Sequence, residues 1–103
     1  MKYTTGEIIK LGDIVSVPVP SGDALGKVVF LGETYEHSAL EDSFTNWVME
    51  SKHLKENSIY VEWIKGNPLE HQNENYAPVG NKMQTGIDEF VKFIQRENNE
   101  KNI

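Results

Sequence analysis

Between Asp13 and Val19 the chain reads D-I-V-S-V-P-V, a two-residue alternation that sets Val15, Val17 and Val19 on one face of a strand. Pro18 has no N–H to give to a ladder, which predicts an edge position or a bulge there. Pro20-Ser21-Gly22-Asp23 carries turn chemistry, with Pro20 presetting one φ and Gly22 tolerating positive φ. From Leu25 to Leu31 the apolar residues fall on both faces, Val28 and Phe30 on one, Val29 and Leu31 on the other. That pattern predicts a central strand covered on both sides. Gly26 near its start predicts a close approach by a neighbouring backbone or a sharp bend.

Residues 33–57 follow neither period cleanly. Leu40, Phe44, Trp47 and Val48 lie at i, i+4, i+7 and i+8, one helical face, yet "FTNWVMES" also suits a strand. The reading is an irregular or partly helical loop that ends in a strand near Trp47. Residues 58–65 return to strict alternation, Ile59, Val61 and Trp63 against Tyr60, Glu62 and Ile64. Residues 65–84 are rich in Gly, Asn and Pro and read as a long loop; loops of that length in compact domains are commonly functional. Thr85 and Asp88 form a capping-box-like pair ahead of Ile87, Phe90, Val91 and Ile94, which predicts an amphipathic helix over 86–97 with Phe90 in the core. The tail "ENNEKNI" should fray. The resulting fold class is α+β and β-rich: a small curved antiparallel sheet, an SH3-like partial barrel, closed by a C-terminal amphipathic helix.

Length fits one domain over residues 1–103, large enough for a modest core without covalent staples. The absence of cysteine excludes disulfides, thiol nucleophiles and Cys-ligated zinc, and suits a reducing cytoplasm. The N-terminus lacks the apolar stretch of a signal peptide, and the longest aliphatic or aromatic run, "VVFL", is far short of the ~20 residues that span a bilayer. A cytoplasmic protein with no membrane contact is expected.

Charge changes the picture more than composition does. The net charge is −6 and Arg96 is the single arginine, so neutralising phosphates, and hence binding nucleic acid directly, is disfavoured. From Glu33 to Glu62 seven acidic residues face two lysines, a net −5 that accounts for nearly the whole excess. The same stretch holds Tyr35, Phe44, Trp47 and Tyr60. Rings supply buried area and carboxylates supply steering and register, so this stretch suits an interface aimed at a basic cleft. The candidate partner-binding residues are Tyr35, Glu36, Glu41, Asp42, Trp47, Glu50, Tyr60 and Glu62, while Phe44 and Trp63 are assigned to the core.

Candidate chemistry is thin by comparison. His37, His53 and His71 lie 16 and 18 residues apart, which matches no local zinc pattern. "GNKMQTG" fails as a phosphate loop because no Lys-Ser/Thr follows its second glycine. Glu41 and Asp42, with His37 four residues before Glu41, are the only group a small hydrolase could draw on, and no nucleophile, base and orienting group stand together. No catalytic residue, metal or cofactor is assigned, and no enzyme is expected.

Gly12, Asp13, Ile14, Val15, Val17 and Pro18, followed by Leu25, Gly26, Lys27 and Val28, resemble the opening strands of immunity proteins from bacterial polymorphic-toxin and contact-dependent growth inhibition systems. The resemblance covers about 20 of the 103 residues and stops at Gly32. It implies a small β-rich fold and a cytoplasmic inhibitor that binds one cognate toxin domain in a 1:1 heterodimer. The toxin would be a nuclease of the RNase type, its active-site cleft blocked. The alternative reading is an SH3-like module that binds a peptide or protein without inhibiting it.

Overall fold

The computed structural model describes residues 1–19, 22–64 and 80–96. Its elements are β1 (Asp13–Val19), β2 (Gly22–Leu31), α1 (Asp42–Ser51), β3 (Ser58–Trp63), β4 (Lys82–Gly86) and β5 (Lys92–Arg96). The five strands make one antiparallel sheet in the order β4-β3-β2-β1-β5. Strands β1 to β4 run as a meander, and β5 returns to the far side of β1.

The expected central strand is β2, in the middle of the sheet. Its alternation is broken by one residue, because the register shifts between Val28 and Phe30. Val28 and Leu31 therefore share one face while Val29 and Phe30 share the other, in place of strict pairing by period two. Gly26 is required by side chains rather than backbone: a Cβ there would stand 2.9 Å from Val61 Cβ. Gly32, just past the strand, is tighter still, since a Cβ would fall 1.8 Å from the carbonyl oxygen of Lys55.

Each face has its own core. On the first, Val15, Val17, Val28, Ile59, Val61 and Trp63 are sealed by Tyr3 and Ile9 of the N-terminal segment and by Val91 and Phe93. On the second, Val29, Phe30 and Tyr60 meet Val48 of α1 and Leu54 just after it. The first core is locked by Asp13, which is 0% exposed. Its carboxylate accepts from Tyr3 Oη at 2.7 Å, from the Lys10 amide at 3.0 Å and from Arg96 Nε at 2.8 Å. Arg96 Nη2 also donates to the Ile8 carbonyl at 2.6 Å, so one residue ties β1, β5 and the N-terminal segment together. Burial and the Asp13 contact push the Tyr3 phenol far above its ordinary value, keeping it a neutral donor.

Four expectations are corrected. Among the described residues of the expected 86–97 helix none is helical: residues 82–86 and 92–96 are strands, joined by a turn in which Asp88 Oδ1 accepts from the Phe90 amide at 2.9 Å. Asp88 thus makes an Asx-type turn rather than a helix cap, and Phe90 stands 61% exposed. Strand β1 is not an edge, yet β5 pairs only with Asp13–Ser16, so Pro18 is flanked on one side only, by Asp23 of β2. The segment around Trp47 is helix and not strand. The end of the expected 65–84 loop, Lys82–Gln84, belongs to β4; residues 65–79 and the 97–103 tail lie outside the described residues.

Candidate functional site

Helix α1 lies within the acidic stretch 33–62 and carries two of its seven acidic residues, Asp42 and Glu50, with Glu41 just before it. Its 10 residues start after Glu41, which is extended, and carry Asp42 in the first turn, where a carboxylate complements the positive end of the helix dipole. It ends at Lys52, which adopts a left-handed φ of 53° and gives its N–H to the Val48 carbonyl. Val48 is buried against the sheet and Phe44 is half-buried beside it. Asp42, Asn46 and Glu50, four residues apart, form an exposed row on the opposite side. Among the described residues, Glu41, Asp42 and Glu50 enter no ion pair.

Trp47 occupies the flank between the buried stripe and the acidic row, and it is 54% exposed. Its ring is held from the sheet side. The His53 imidazole lies 4.4 Å away centroid to centroid, and Phe44 lies at 6.1 Å. Phe44 in turn meets Tyr60 edge-on at 5.0 Å and Phe30 at 6.5 Å, the geometry that aromatic quadrupoles favour. His53 is fixed at both nitrogens: Nδ1 meets Ser51 Oγ, and Nε2 lies 2.7 Å from Tyr60 Oη. Burial raises the Tyr60 phenol pKa, with a smaller push from Tyr35, so it remains a neutral partner for His53. Beyond Phe44, Lys82 Nζ stands 5.1 Å over that ring and 3.9 Å from Glu62.

The expected partner-binding residues do not all gather on this face. Asp42, Trp47 and Glu50 lie on α1 and Glu41 stands just before it, all four exposed, and Glu62 lies beside the helix through Lys82. Tyr60 is buried at 6% and forms the floor beneath His53, so it supports the face without presenting a ring to a partner. Tyr35 is half-buried, edge-on to Phe30 at 5.8 Å, and donates to the Leu54 carbonyl at 2.7 Å. Glu36 accepts from Thr34 and lines a pocket with Ile8 and Lys10 of the N-terminal segment, away from the helix. Phe44 packs against the core of the second face and Trp63 is buried in the first, both as expected. His53 is the residue that sequence reading passed over. Its place under Trp47 depends on the left-handed turn at Lys52, which no periodicity announces.

Ser51, His53 and Tyr60 superficially match a nucleophile, a base and an orienting group. They sit at the C-terminal end of α1, where the free carbonyls carry the wrong sign to stabilise an oxyanion. The arrangement is better suited to holding a ring than to acyl transfer. Among the described residues there is no cluster of three or more His, Asp or Glu fit for a metal ion, and no helix long and apolar enough to cross a membrane. The chain matches no protein-family model, no curated protein and no solved structure.

Proposed function

We propose that this chain is an immunity protein of a bacterial polymorphic-toxin or contact-dependent growth inhibition system. It acts in the cytoplasm, without catalysis or cofactor. It binds one cognate cationic toxin domain, a nuclease of the RNase type, as a 1:1 heterodimer and covers its active-site cleft with the outer face of α1. One observation carries the reading: an exposed tryptophan shares α1 with Asp42 and Glu50, two carboxylates that have no ion pair among the described residues. Large aromatic residues in such settings are common interface anchors. Unpaired carboxylates attract a basic surface and speed its approach. Glu62 extends the negative surface past the helix, while Tyr35 and Glu36 belong to a second, peripheral contact. The finer fold reading is an SH3-like open barrel. It is supported by a meander whose last strand returns beside the first and by bulges in β1–β5 and β2–β3, which supply the curvature.

The test is co-expression with the basic toxin domain encoded beside it. Survival of the host and equimolar co-purification are expected. Loss of survival with no complex formed rejects the inhibitor, and micromolar capture of short linear peptides instead points to the SH3-like module.

A further inference from the structure

We infer that the outer face of Trp47 is an arginine-accepting shelf, with Glu50 as the carboxylate that closes on the same guanidinium. Among the described residues five rings lie at or near the surface, Tyr35, Phe44, Trp47, Phe90 and Phe93, and three of them carry a cation. Lys52 Nζ stands 4.9 Å over Tyr35, Lys82 Nζ 5.1 Å over Phe44 and Arg96 Cζ 5.3 Å over Phe93. Of the two that no cation covers among the described residues, Trp47 at 54% exposed and Phe90 at 61%, Trp47 is the stronger π acceptor and the one on the helix that carries Glu50. The His53 ring lies against the indole at 4.4 Å, and more than half of the Trp47 surface stays open to solvent. Glu50 follows Trp47 by three residues on α1, close enough for one planar cation to meet the ring and the carboxylate together.

The ligand chemistry follows from that pair of surfaces. A guanidinium is planar, weakly hydrated and able to stack while its edge N–H groups reach a carboxylate; an ammonium is compact and strongly hydrated. The occupant is therefore an arginine side chain of a protein partner. The shelf deepens the immunity reading above and rests on it only for which protein supplies that arginine. His53 is a positioning residue here. Hydrogen-bonding groups at both of its nitrogens fix the imidazole plane, and the imidazole fixes the indole, so little side-chain freedom is lost when the arginine arrives.

The probe is N-acetyl-arginine amide, titrated into the ¹⁵N-labelled full chain against N-acetyl-lysine amide at equal ionic strength. The chain has two tryptophans, so the Trp47 indole signal is the one lost in Trp47→Leu, and buried Trp63 is the internal control. The Trp47 signal should move saturably, with arginine amide binding about two- to fivefold tighter than lysine amide. Glu50→Gln should weaken both ligands, and His53→Ala should reduce the preference. Equal affinity for the two amides, or a Trp47 signal that stays still, overturns the shelf. Arginine preference in a protein that fails to protect cells keeps the shelf and removes the immunity reading. Full protection by Trp47→Leu, with toxin still bound, overturns the shelf as the partner's contact and leaves that reading in place.

Discussion

The two sides of the sheet handle charge and aromatic surface in opposite ways. On the first, the acidic group is Asp13, fully buried and satisfied by a phenol, an amide and a guanidinium, and Tyr3 lies 5.3 Å from Phe93 within the packed layer. On the second, Asp42 and Glu50 stand in solvent without a cation among the described residues, and the aromatic chain that begins at buried Phe30 ends at exposed Trp47. A buried carboxylate is tolerated only when its hydrogen bonds are complete, so Asp13 reads as architecture. Carboxylates and a tryptophan left open to water contribute little to folding and are available to a partner. The same residue types thus stand in opposite environments, sealed and satisfied on one side and open to water on the other.

That contrast can be broken most forcefully in the cores. Phe30→Ala should cost roughly 3–5 kcal/mol in a urea melt, since the ring is fully buried beneath α1. Phe90→Ala, at the exposed turn before β5, should stay within about 0.5 kcal/mol. A large loss at Phe90 would restore the amphipathic helix that its spacing suggests. Next in size is Asp13→Ala, expected to cost about 3 kcal/mol because it strands the Arg96 guanidinium and the Tyr3 hydroxyl together. Asp42→Ala should be nearly silent in the same melt. Equal costs for the two would erase the division between them.

A smaller effect appears at alkaline pH. The folded Tyr3 phenol is held well above its ordinary value near 10, chiefly by burial and then by Asp13. Below that ordinary value both folded and unfolded chains keep the proton, and the stabilisation is complete. Above it the unfolded chain ionises first, so stability falls as pH rises toward the folded value. Tyr3→Phe should flatten this alkaline decline, and an unchanged slope would remove the Tyr3–Asp13 contact from the account.

The reading from sequence succeeded where local chemistry and tertiary context agreed. Strand β1 matches its alternation to the residue and β3 follows, because apolar periodicity and the flanking turn residues point the same way; β2 is central as expected but loses its alternation at the shift between Val28 and Phe30. It failed at 86–97, where Ile87, Phe90, Val91 and Ile94 satisfy a helical template while a five-residue strand leaves too short a record to compete. The deciding interaction is long-range: Arg96 reaches Asp13 across 83 positions. At the candidate site, the acidic row and Trp47 were legible as residue types. Their separation from Glu36 and the burial of Tyr60 were not, since both depend on how the β2–β3 excursion folds over Phe30.

The least structural of the changes should be the most functional. Replacing Asp42 and Glu50 together by lysine is expected to leave stability within about 0.5 kcal/mol. It should also slow association with the proposed cationic toxin domain by roughly tenfold at low salt and flatten the salt dependence.

The most direct test of α1 as the docking face is amide hydrogen exchange of the protein alone and in its toxin complex. New protection is expected over residues 42–53, with the amides of β5 and the N-terminal segment unchanged. Protection confined to β5 or to residues 1–12, with α1 exchanging as in the free protein, would contradict it.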